Sequence, residues 1–341
     1  MADIYVYVRE QLYKAYGVRV IVDKVISLFD NAQVVHSLDR LDSKATVIPY
    51  GVLEAYKLIK AKRFKLTMAL LVDAFSLGQI EDVKEFGPYS YIPLSYKVKC
   101  FLRYFRHLYC EHLILKNYNK VMLVSWGDRD YYAKIPFTKK YVHKIVVVHN
   151  GVNMPVRPAY QYEGNKPFRI GCLSAWTGTQ VVYTLKIFME EVWCKLPQDA
   201  NIELVIAGRG LSEDFIRYLK KFKGVRIIGE VADLKDFYDN VDATLVTMLK
   251  KCGIINRVLD GFAYKVPLVC PPANLLAFKD LPDCCYTYSN TKSFMDAINA
   301  IRNNPKVASK KSELAYEYIK QHCDWDNNYR FIKDLITEQC K

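Results

Sequence analysis

The sequence lacks the features of membrane-spanning, metal-binding and disulfide-framed proteins. No hydrophobic run approaches the roughly 18 residues that a spanning helix needs. The ten cysteines among 341 residues form no CxxC pair and have no histidines at metal-ligand spacing, which excludes the common zinc motifs. The first residues, MADIYVYVRE, lack the basic start and continuous apolar segment of a signal peptide. These absences predict a cytoplasmic protein with reduced thiols, no cofactor and no required metal.

Positive charge is present in excess, and most of it lies in the first half of the chain. The net charge is +13; residues 1–150 contain 23 Lys and Arg against 14 Asp and Glu, and the remainder contains 26 against 22. Such an excess suits an acidic partner, which means nucleic acid, an anionic membrane surface or a phosphorylated substrate, although plain solvation explains it equally well. Because no RNA- or DNA-binding motif is present, we do not expect nucleic acid as a partner.

Apolar, β-branched runs alternate with segments of helical period along the whole chain, and this alternation predicts parallel α/β architecture. A segment rich in Pro, Gly and Asn, residues 150–167, separates two sets of such runs as an interdomain linker would. We therefore predict two Rossmann-like doubly wound domains, 1–155 and 165–322, which face each other across a cleft with ligands at the carboxyl ends of the strands. The strand candidates are 4–8, 32–37, 45–50, 66–74, 120–125, 144–151, 168–174, 202–208, 225–231, 243–249, 267–271 and 285–289.

The segment KKCGIINRVLDG, residues 250–261, has the composition of an anion site at the start of a helix. Gly253 follows a strand candidate and precedes a helix that is predicted from about Ile254. The free N–H groups of a first helical turn attract anions. We therefore expect the backbone from Gly253 to Ile255 to face a negatively charged ligand.

Charged side chains surround this predicted helix start. Lys250, Lys251 and Arg257 add three positive charges, which suit a diphosphate better than a single carboxylate. Asp260 lies further along the helix, where a carboxylate can accept hydrogen bonds from both hydroxyl groups of a ribose. In the alternative interpretation, the lysines are surface charge and Asp260 is a solvated helix residue.

Four collinear segments resemble the nucleotide-sugar domain of GT-B glycosyltransferases, in particular the retaining family called glycosyl transferases group 1. They are VVVHNGVNMP, VRIIGEVADLKDFYDNVDATLVTM, CGIINRVLDGFAYKVPLV and CDWDNNYRFIKDLI. The last is similar to the family's closing helix, which returns to the first domain, and the resemblance implies the same for residues 323–341. It covers the C-terminal half well and the N-terminal half only in layout.

The resemblance also exposes departures from the family pattern. The family's E-x7-E motif places one glutamate on the donor sugar and a second on the ribose, and here Cys252 and Asp260 stand at these positions. The family's diphosphate-binding arginine and lysine are replaced by Cys172 and Thr177 in GCLSAWTG, residues 171–178. The ribose carboxylate is thus kept in shortened form, and both usual cations are missing.

Positive charge must still oppose two phosphates in such a site. Lys250, Lys251, Arg257 or Arg209 must therefore substitute for the missing pair, or donor binding is lost. Arg209, in AGRG, is alternatively an ordinary loop charge. The resemblance implies that Gly229 and Glu230 form the turn that binds the nucleotide base.

The first domain is expected to supply the acceptor side and the chemistry. Asp73 ends the fourth strand candidate, at a carboxyl end that faces the predicted cleft. The family often places a polar catalytic residue near this strand, so the resemblance implies that Asp73 is catalytic. Its alternative role is to cap the loop that follows.

Residues 93–116 mix aromatic side chains and leucines with Lys97, Lys99, Arg103 and Arg106. At 3.6 residues per turn the aromatic residues form a stripe flanked by cations, which is typical of a helix lying on anionic lipid. The alternative is an ordinary amphipathic helix that covers the sheet.

Taken with the resemblance, these features predict an enzyme that transfers a sugar from a nucleotide-diphosphate donor to a glycan or lipid-linked acceptor in envelope polysaccharide synthesis. It would act in the cytoplasm, in peripheral contact with an anionic membrane. The first alternative is a non-catalytic GT-B paralogue that acts as partner or scaffold of an active transferase. The second is a GT-B-fold sugar-nucleotide epimerase, which would need no acceptor.

Overall fold

The computed structural model describes residues 3–162, 164 and 167–340. Strands and helices alternate along the described chain. The strands are β1 (Ile4–Tyr7), β2 (Ala32–Val35), β3 (Thr46–Pro49), β4 (Met68–Val72), β5 (Lys120–Leu123), β6 (Ile145–Val147), β7 (Phe168–Leu173), β8 (Ile202–Ala207), β9 (Val225–Gly229), β10 (Ala243–Leu245), β11 (Leu268–Cys270) and β12 (Tyr286–Thr287). The α-helices are α1 (Glu10–Tyr13), α2 (Tyr16–Ile26), α3 (Val52–Ala61), α4 (Phe75–Phe86), α5 (Leu94–Asn117), α6 (Trp126–Lys134), α7 (Pro136–Lys139), α8 (Thr179–Glu191), α9 (Glu213–Leu219), α10 (Leu234–Tyr238), α11 (Asn256–Ala263), α12 (Thr291–Asn303), α13 (Pro305–His322) and α14 (Trp325–Cys340).

The first six strands form two parallel three-stranded sheets that lie edge to edge. Their orders are β2-β1-β3 and β4-β5-β6, and an isolated parallel bridge between Tyr50 and Leu70 joins them. The Gly51 N–H donates to the Leu70 carbonyl at 2.8 Å. Pro49, the last residue of β3, has no N–H to donate to a neighbouring strand. The predicted single six-stranded layer is therefore divided at the β3–β4 boundary.

The second half of the chain forms one continuous parallel sheet of six strands, called the second sheet from here on. Its strand order is β12-β11-β10-β7-β8-β9. If β7 to β12 are renumbered 1 to 6 and the sheet is followed from β9 to β12, the order is 3-2-1-4-5-6, which is that of dinucleotide-binding folds. Its four central strands, β11, β10, β7 and β8, are largely buried, as expected where helices cover both faces of a parallel sheet. The strand order reverses between β7 and β10, and the crevice beyond their carboxyl ends is the expected ligand position.

The last helix, α14, packs against the first sheet. Tyr329, Ile332 and Ile336 belong to the same buried cluster as Val6 and Ile48. The Asn328 side chain also donates to the His149 carbonyl at 3.0 Å, close to the end of β6. The C-terminal helix thus returns to the first domain, as the resemblance implies.

All twelve predicted strands are present, but α4 is missing from the sequence-based predictions. Its inward face carries Ser76, Glu81 and Asp82, all buried, so the helix does not show the apolar stripe by which amphipathic helices are recognised. The domain boundaries 1–155, 165–322 and 323–341 stay predictions, and positions 165 and 341 lie outside the described residues. Among the described helices, none is long and apolar enough to cross a membrane.

Candidate active site between the two sheets

Asp73 lies on a strained turn at the carboxyl end of β4. The preceding residue, Val72, has φ +70°, a left-handed conformation that a β-branched side chain rarely adopts. The Asp73 N–H donates to the Leu71 carbonyl at 2.9 Å, which closes the turn, and α4 begins two residues later. Such strain is found where a fold holds a functional group in place. The fold thus fixes the position of Asp73 at the strand end, and its catalytic role stays a prediction.

Lys250 reaches Asp73 from the second sheet. Its Nζ lies 3.1 Å from Asp73 Oδ2, and the two side chains are only 21% and 24% exposed. Burial by itself lowers the pKa of Lys250, but Asp73 and Cys252 together raise it by more than burial lowers it. The net pKa therefore lies above the ordinary value, and the amine stays charged. The sequence-predicted catalytic residue and one predicted donor-binding residue therefore meet across the cleft.

Asp128, on α6, is a buried residue of this site that the sequence analysis missed. Its carboxylate accepts the Ala74 N–H at 2.9 Å and the Gly253 N–H at 3.0 and 3.1 Å, so it bridges the two halves of the chain. Burial, and then the charge of Asp73, raise its pKa above the ordinary value. The available signal was SWGD, residues 125–128, in which Ser125 caps α6 by accepting the Asp128 N–H.

The structure corrects the prediction of an open anion site at Gly253. Gly253 has φ +67°, and a Cβ there would lie 2.3 Å from Asp73 Oδ1, so only glycine fits between the two sheets. Its N–H already donates a hydrogen bond to the Asp128 carboxylate. The helix begins at Asn256 rather than at Ile254, with Ile255 as its N-cap. Ile254 and Ile255 instead pack against an apolar cluster of the second domain.

Cys252 and Lys251 also contact the first domain rather than an open surface. Cys252 is buried, and a Cβ at Gly78 of α4 would lie 2.8 Å from its Sγ. The resemblance implied that Cys252 faces the donor sugar. In the structure it instead faces α4, where its apolar thiol packs against Gly78. Lys251 Nζ lies 2.7 Å from Glu81 Oε2, also on α4.

Arg257 and Asp260 pair with each other on α11. Arg257 Nη1 lies 2.5 Å from Asp260 Oδ2, and the two residues are one helical turn apart. Burial raises the pKa of Asp260, and Arg257 opposes this shift. A ribose bound to Asp260 would therefore meet a carboxylate that is already held by a guanidinium.

The loops after β7, β8 and β9 pack side by side at the carboxyl edge of the second sheet. A Cβ at Gly208 would lie 1.8 Å from the Ser174 carbonyl oxygen, and the Gly208 N–H donates to the Gly229 carbonyl at 2.6 Å. Arg209 and Glu230, both exposed, extend from this edge. Because strands lie about 4.8 Å apart, β8 and β9 lie roughly 10 and 15 Å from β10. Arg209 and Glu230 are thus well separated from Lys250.

A cavity of about 590 Å³ lies beside this site, between α4, α8 and the start of α12. It is lined by side chains of both polar and apolar character, among them Glu85, Tyr89 and Asn290. Thr247 and Leu249, which closely precede Lys250, also line it. None of the predicted site residues lies in its wall, but its volume is that of a small-molecule site.

Glu111 of α5 supports the Asp73 turn from behind and is expected to make stability depend on pH. Its carboxylate accepts the Ser76 N–H at 3.0 Å and the Ser76 hydroxyl. Burial raises the pKa of Glu111 to about 7, although the Ser76 bonds oppose this shift. Since the folded pKa exceeds the unfolded value, the protonated form stabilises the fold, and this stability is lost as pH rises from about 4.5 through 7.

The Glu111→Gln variant, which mimics the protonated acid, is therefore expected to lose less thermal stability than the native chain between pH 5 and pH 8. Over this pH range the unfolding free energy of the native chain should fall by on the order of 3 kcal/mol more than that of Glu111→Gln. Melting curves across this pH range measure it, and Glu317→Gln, on the surface of α13, is the control. Parallel pH profiles for the native chain and Glu111→Gln would contradict the assignment.

Comparisons with known proteins identify the fold and a family resemblance of the second domain. Residues 168–304 match the model of the family Glycosyl transferases group 1. No protein of curated function matches the sequence. Sucrose-phosphate synthase from Thermosynechococcus elongatus is 13% identical, with a TM-score of 0.69 and 99% of each chain covered.

Two further solved structures are similar to the chain. HepE from Anabaena, in complex with UDP-glucose, is 12% identical, with a TM-score of 0.63; 99% of this chain and 100% of HepE are covered. TarM from S. aureus, in complex with Fondaparinux, alpha-GlcNAc-glycerol and UDP, is 12% identical, with a TM-score of 0.54 and 85% of this chain covered. The chain spans only 55% of the length of TarM. Identities this low establish the fold alone, which is GT-B, as predicted. Residues 168–304 thus resemble the glycosyl transferases group 1 family, as the sequence analysis predicted.

Proposed function

We propose that this protein transfers a sugar from a nucleoside-diphosphate donor to a glycan or lipid-linked saccharide acceptor in cell-envelope polysaccharide synthesis. The observation that carries the proposal is the contact of Asp73 with Lys250, 3.1 Å apart at the carboxyl ends of β4 and β10. A carboxylate from one sheet there meets a cation from the other. The UDP and UDP-glucose complexes of HepE and the UDP complex of TarM support a uridine nucleotide as the first donor to test.

The donor would extend along the carboxyl edge of the second sheet. In this arrangement the base lies near Gly229 and Glu230, the ribose lies at Asp260, and the diphosphate lies nearer Lys250. Arg257 and Arg209 flank this path. Departure of the nucleoside diphosphate leaves negative charge on phosphate, and fixed cations stabilise that charge without any metal.

The acceptor would approach from the first domain, where Asp73 contacts the reacting hydroxyl. A carboxylate in this position orients the acceptor and receives its proton. The neighbouring cavity of about 590 Å³ has room for a saccharide, and Glu85 and Asn290 in its wall offer hydrogen-bonding groups. We place the reaction in the cytoplasm, with peripheral contact to the membrane that carries the acceptor.

One observation favours the alternative of a non-catalytic scaffold. Three of the four cations expected to hold the diphosphate already have carboxylate partners: Lys250 pairs with Asp73, Lys251 with Glu81, and Arg257 with Asp260. A donor must exchange these pairs for phosphate contacts. If the pairs are permanent, the chain keeps the GT-B fold without turnover.

Titration of UDP, GDP and ADP, followed by thermal shift and calorimetry, separates the two functions. A ligand at 100 times its Kd raises the unfolding free energy by about 2.7 kcal/mol. Stabilisation by one nucleotide, followed by release of that nucleotide from the corresponding UDP-, GDP- or ADP-sugar in the presence of acceptor glycan, is expected. No stabilisation by any of them would favour the scaffold. Turnover of donor sugar to its epimer without acceptor would favour the epimerase.

Asp260→Ala is expected to weaken nucleotide binding by about tenfold or more, because a hydrogen bond to a charged group contributes about 1.5–3 kcal/mol. Asp260→Asn keeps an acceptor and should recover part of the affinity. Asp236→Ala, on α10, serves as control. Calorimetry with the best nucleotide measures all three variants, and native affinity in Asp260→Ala would refute the ribose assignment.

A further inference from the structure

Helix α5 carries an apolar face that is exposed in the described part of the chain. Six large apolar side chains along its first four turns are exposed, at intervals of three or four residues that place them on one side. They are Leu94 (74%), Val98 (48%), Phe101 (46%), Leu102 (63%), Phe105 (54%) and Tyr109 (59%). The opposite side packs into the first domain through Cys100, Cys110 and Ile114. The apolar stripe predicted from the sequence therefore faces outward and does not cover the sheet.

Cations border this face along its length. Lys99, Arg103 and Arg106 are exposed on one flank. On the other flank Lys97 is tied down, since its Nζ donates to the Gly87 and Tyr89 carbonyls at 2.9 Å each. Glu111 is the only acidic residue of α5, and it is buried against Ser76. The exposed surface of α5 is therefore apolar and cationic, without compensating acidic side chains.

We propose that the α5 face, residues 94–109, docks on an anionic lipid bilayer with its helix axis along the surface. The apolar side chains would enter the acyl boundary, and the long cationic side chains would reach back to lipid phosphates. Each Lys or Arg near an anionic bilayer strengthens binding. The charged side chains that border this face are all positive, which matches the anionic surface of such a bilayer. This charge complementarity selects the bilayer as the occupant.

Two contacts join the inward side of α5 to the segment that follows Asp73. Phe75, the first residue of α4, stacks on His107 of α5 with ring centroids 5.7 Å apart. Ser76 is bonded to the Glu111 carboxylate through both its N–H and its hydroxyl. A bilayer under α5 would therefore be separated from the turn that positions Asp73 by roughly the 10 Å diameter of this helix. This step rests on the proposed function, in which docking would bring a lipid-linked acceptor to Asp73.

The test is co-sedimentation of the full chain with vesicles of phosphatidylcholine alone and of phosphatidylcholine with phosphatidylglycerol at 3:1. Binding to the anionic vesicles only is expected. The charge variant Lys99→Glu/Arg103→Glu/Arg106→Glu and the apolar variant Phe101→Ser/Leu102→Ser/Phe105→Ser should each bind at least about tenfold more weakly. Melting temperature and nucleotide binding confirm that each variant is folded.

Matched control variants lie on the opposite domain. Lys220→Glu/Lys221→Glu/Lys223→Glu removes the same charge, and Val307→Ser/Leu314→Ser removes exposed apolar side chains from α13. Equal loss in these controls, or equal binding to both vesicle types, would overturn the proposal. So would concentration-dependent self-association that the apolar variant abolishes, since a second copy would then cover the face. Vesicle binding needs no nucleotide, so it can succeed or fail independently of the donor assays.

Discussion

Replacing Asp73 by Asn is expected to lower kcat by about 10²- to 10⁴-fold, the usual contribution of a positioned acid or base. Asn keeps the shape of the side chain but cannot take the proton of the acceptor hydroxyl. The same change removes the ion-pair partner of Lys250, whose Nζ lies 3.1 Å from the native carboxylate. Lys250 is then free to approach a phosphate, so nucleotide affinity should be unchanged or higher.

Steady-state kinetics and calorimetry on the same preparation test this separation of turnover from binding. Asp130→Asn is the matched control, because Asp130 lies on α6 with its side chain 61% exposed. If Asp73→Asn loses donor affinity in proportion to kcat, Asp73 supports the donor site and is not the acceptor-side group. If kcat is native, the catalytic assignment is wrong.

The fold could be predicted because it follows from local patterns. Buried parallel strands such as β7 and β8 are short apolar runs, and the turns between them are polar, so periodicity alone locates them. The division of the first sheet was not predicted, because it depends on how Pro49 and the bend at Val72 leave β3 and β4 paired at a single point. Such details depend on the packing of neighbouring elements and not on the composition of any one segment.

The site was predicted only in part, because its contacts join distant segments. Asp73 was identified from its place at a strand end, and Lys250 from its place before a glycine and a helix. Their pairing joins residues 177 positions apart. Asp128 was missed because SWGD predicts only a helix start, whereas its partners in distant segments are backbone N–H groups that the sequence does not identify.

Four polar contacts across the cleft share one pattern. The first domain supplies carboxylates, and the second supplies the groups that face them: Asp73 meets Lys250, Glu81 meets Lys251, Asp82 meets Gln180, and Asp128 meets the Gly253 N–H. The half of the chain with the larger positive excess therefore presents an acidic wall at this boundary, and its cations lie elsewhere, as on α5. In the proposed function, a donor phosphate entering the cleft would compete with this wall for Lys250 and Lys251, which would couple donor binding to the contact between the domains.

The Asp128→Ala variant is expected to be the least stable of the single substitutions. It leaves the Ala74 and Gly253 N–H groups buried without their acceptor, at a cost of about 1–3 kcal/mol each. A total of about 2–6 kcal/mol corresponds to a decrease in Tm of roughly 3–8 °C for a chain of this size. Transfer activity should fall as well, since Asp128 holds the Asp73 turn against the second sheet.

The pH dependence distinguishes this role from a general packing defect. Burial and Asp73 raise the pKa of Asp128, so the stability contributed by its protonated form is lost as pH rises through that pKa. The Tm difference between the native chain and Asp128→Ala should therefore narrow as pH rises from acidic to alkaline. Ser125→Ala, which removes only the 3.4 Å cap of the Asp128 N–H, is the control and should lower Tm by much less at every pH. A difference in Tm that is constant with pH, or as large in Ser125→Ala, would show that the Asp128 carboxylate does not hold the two domains together.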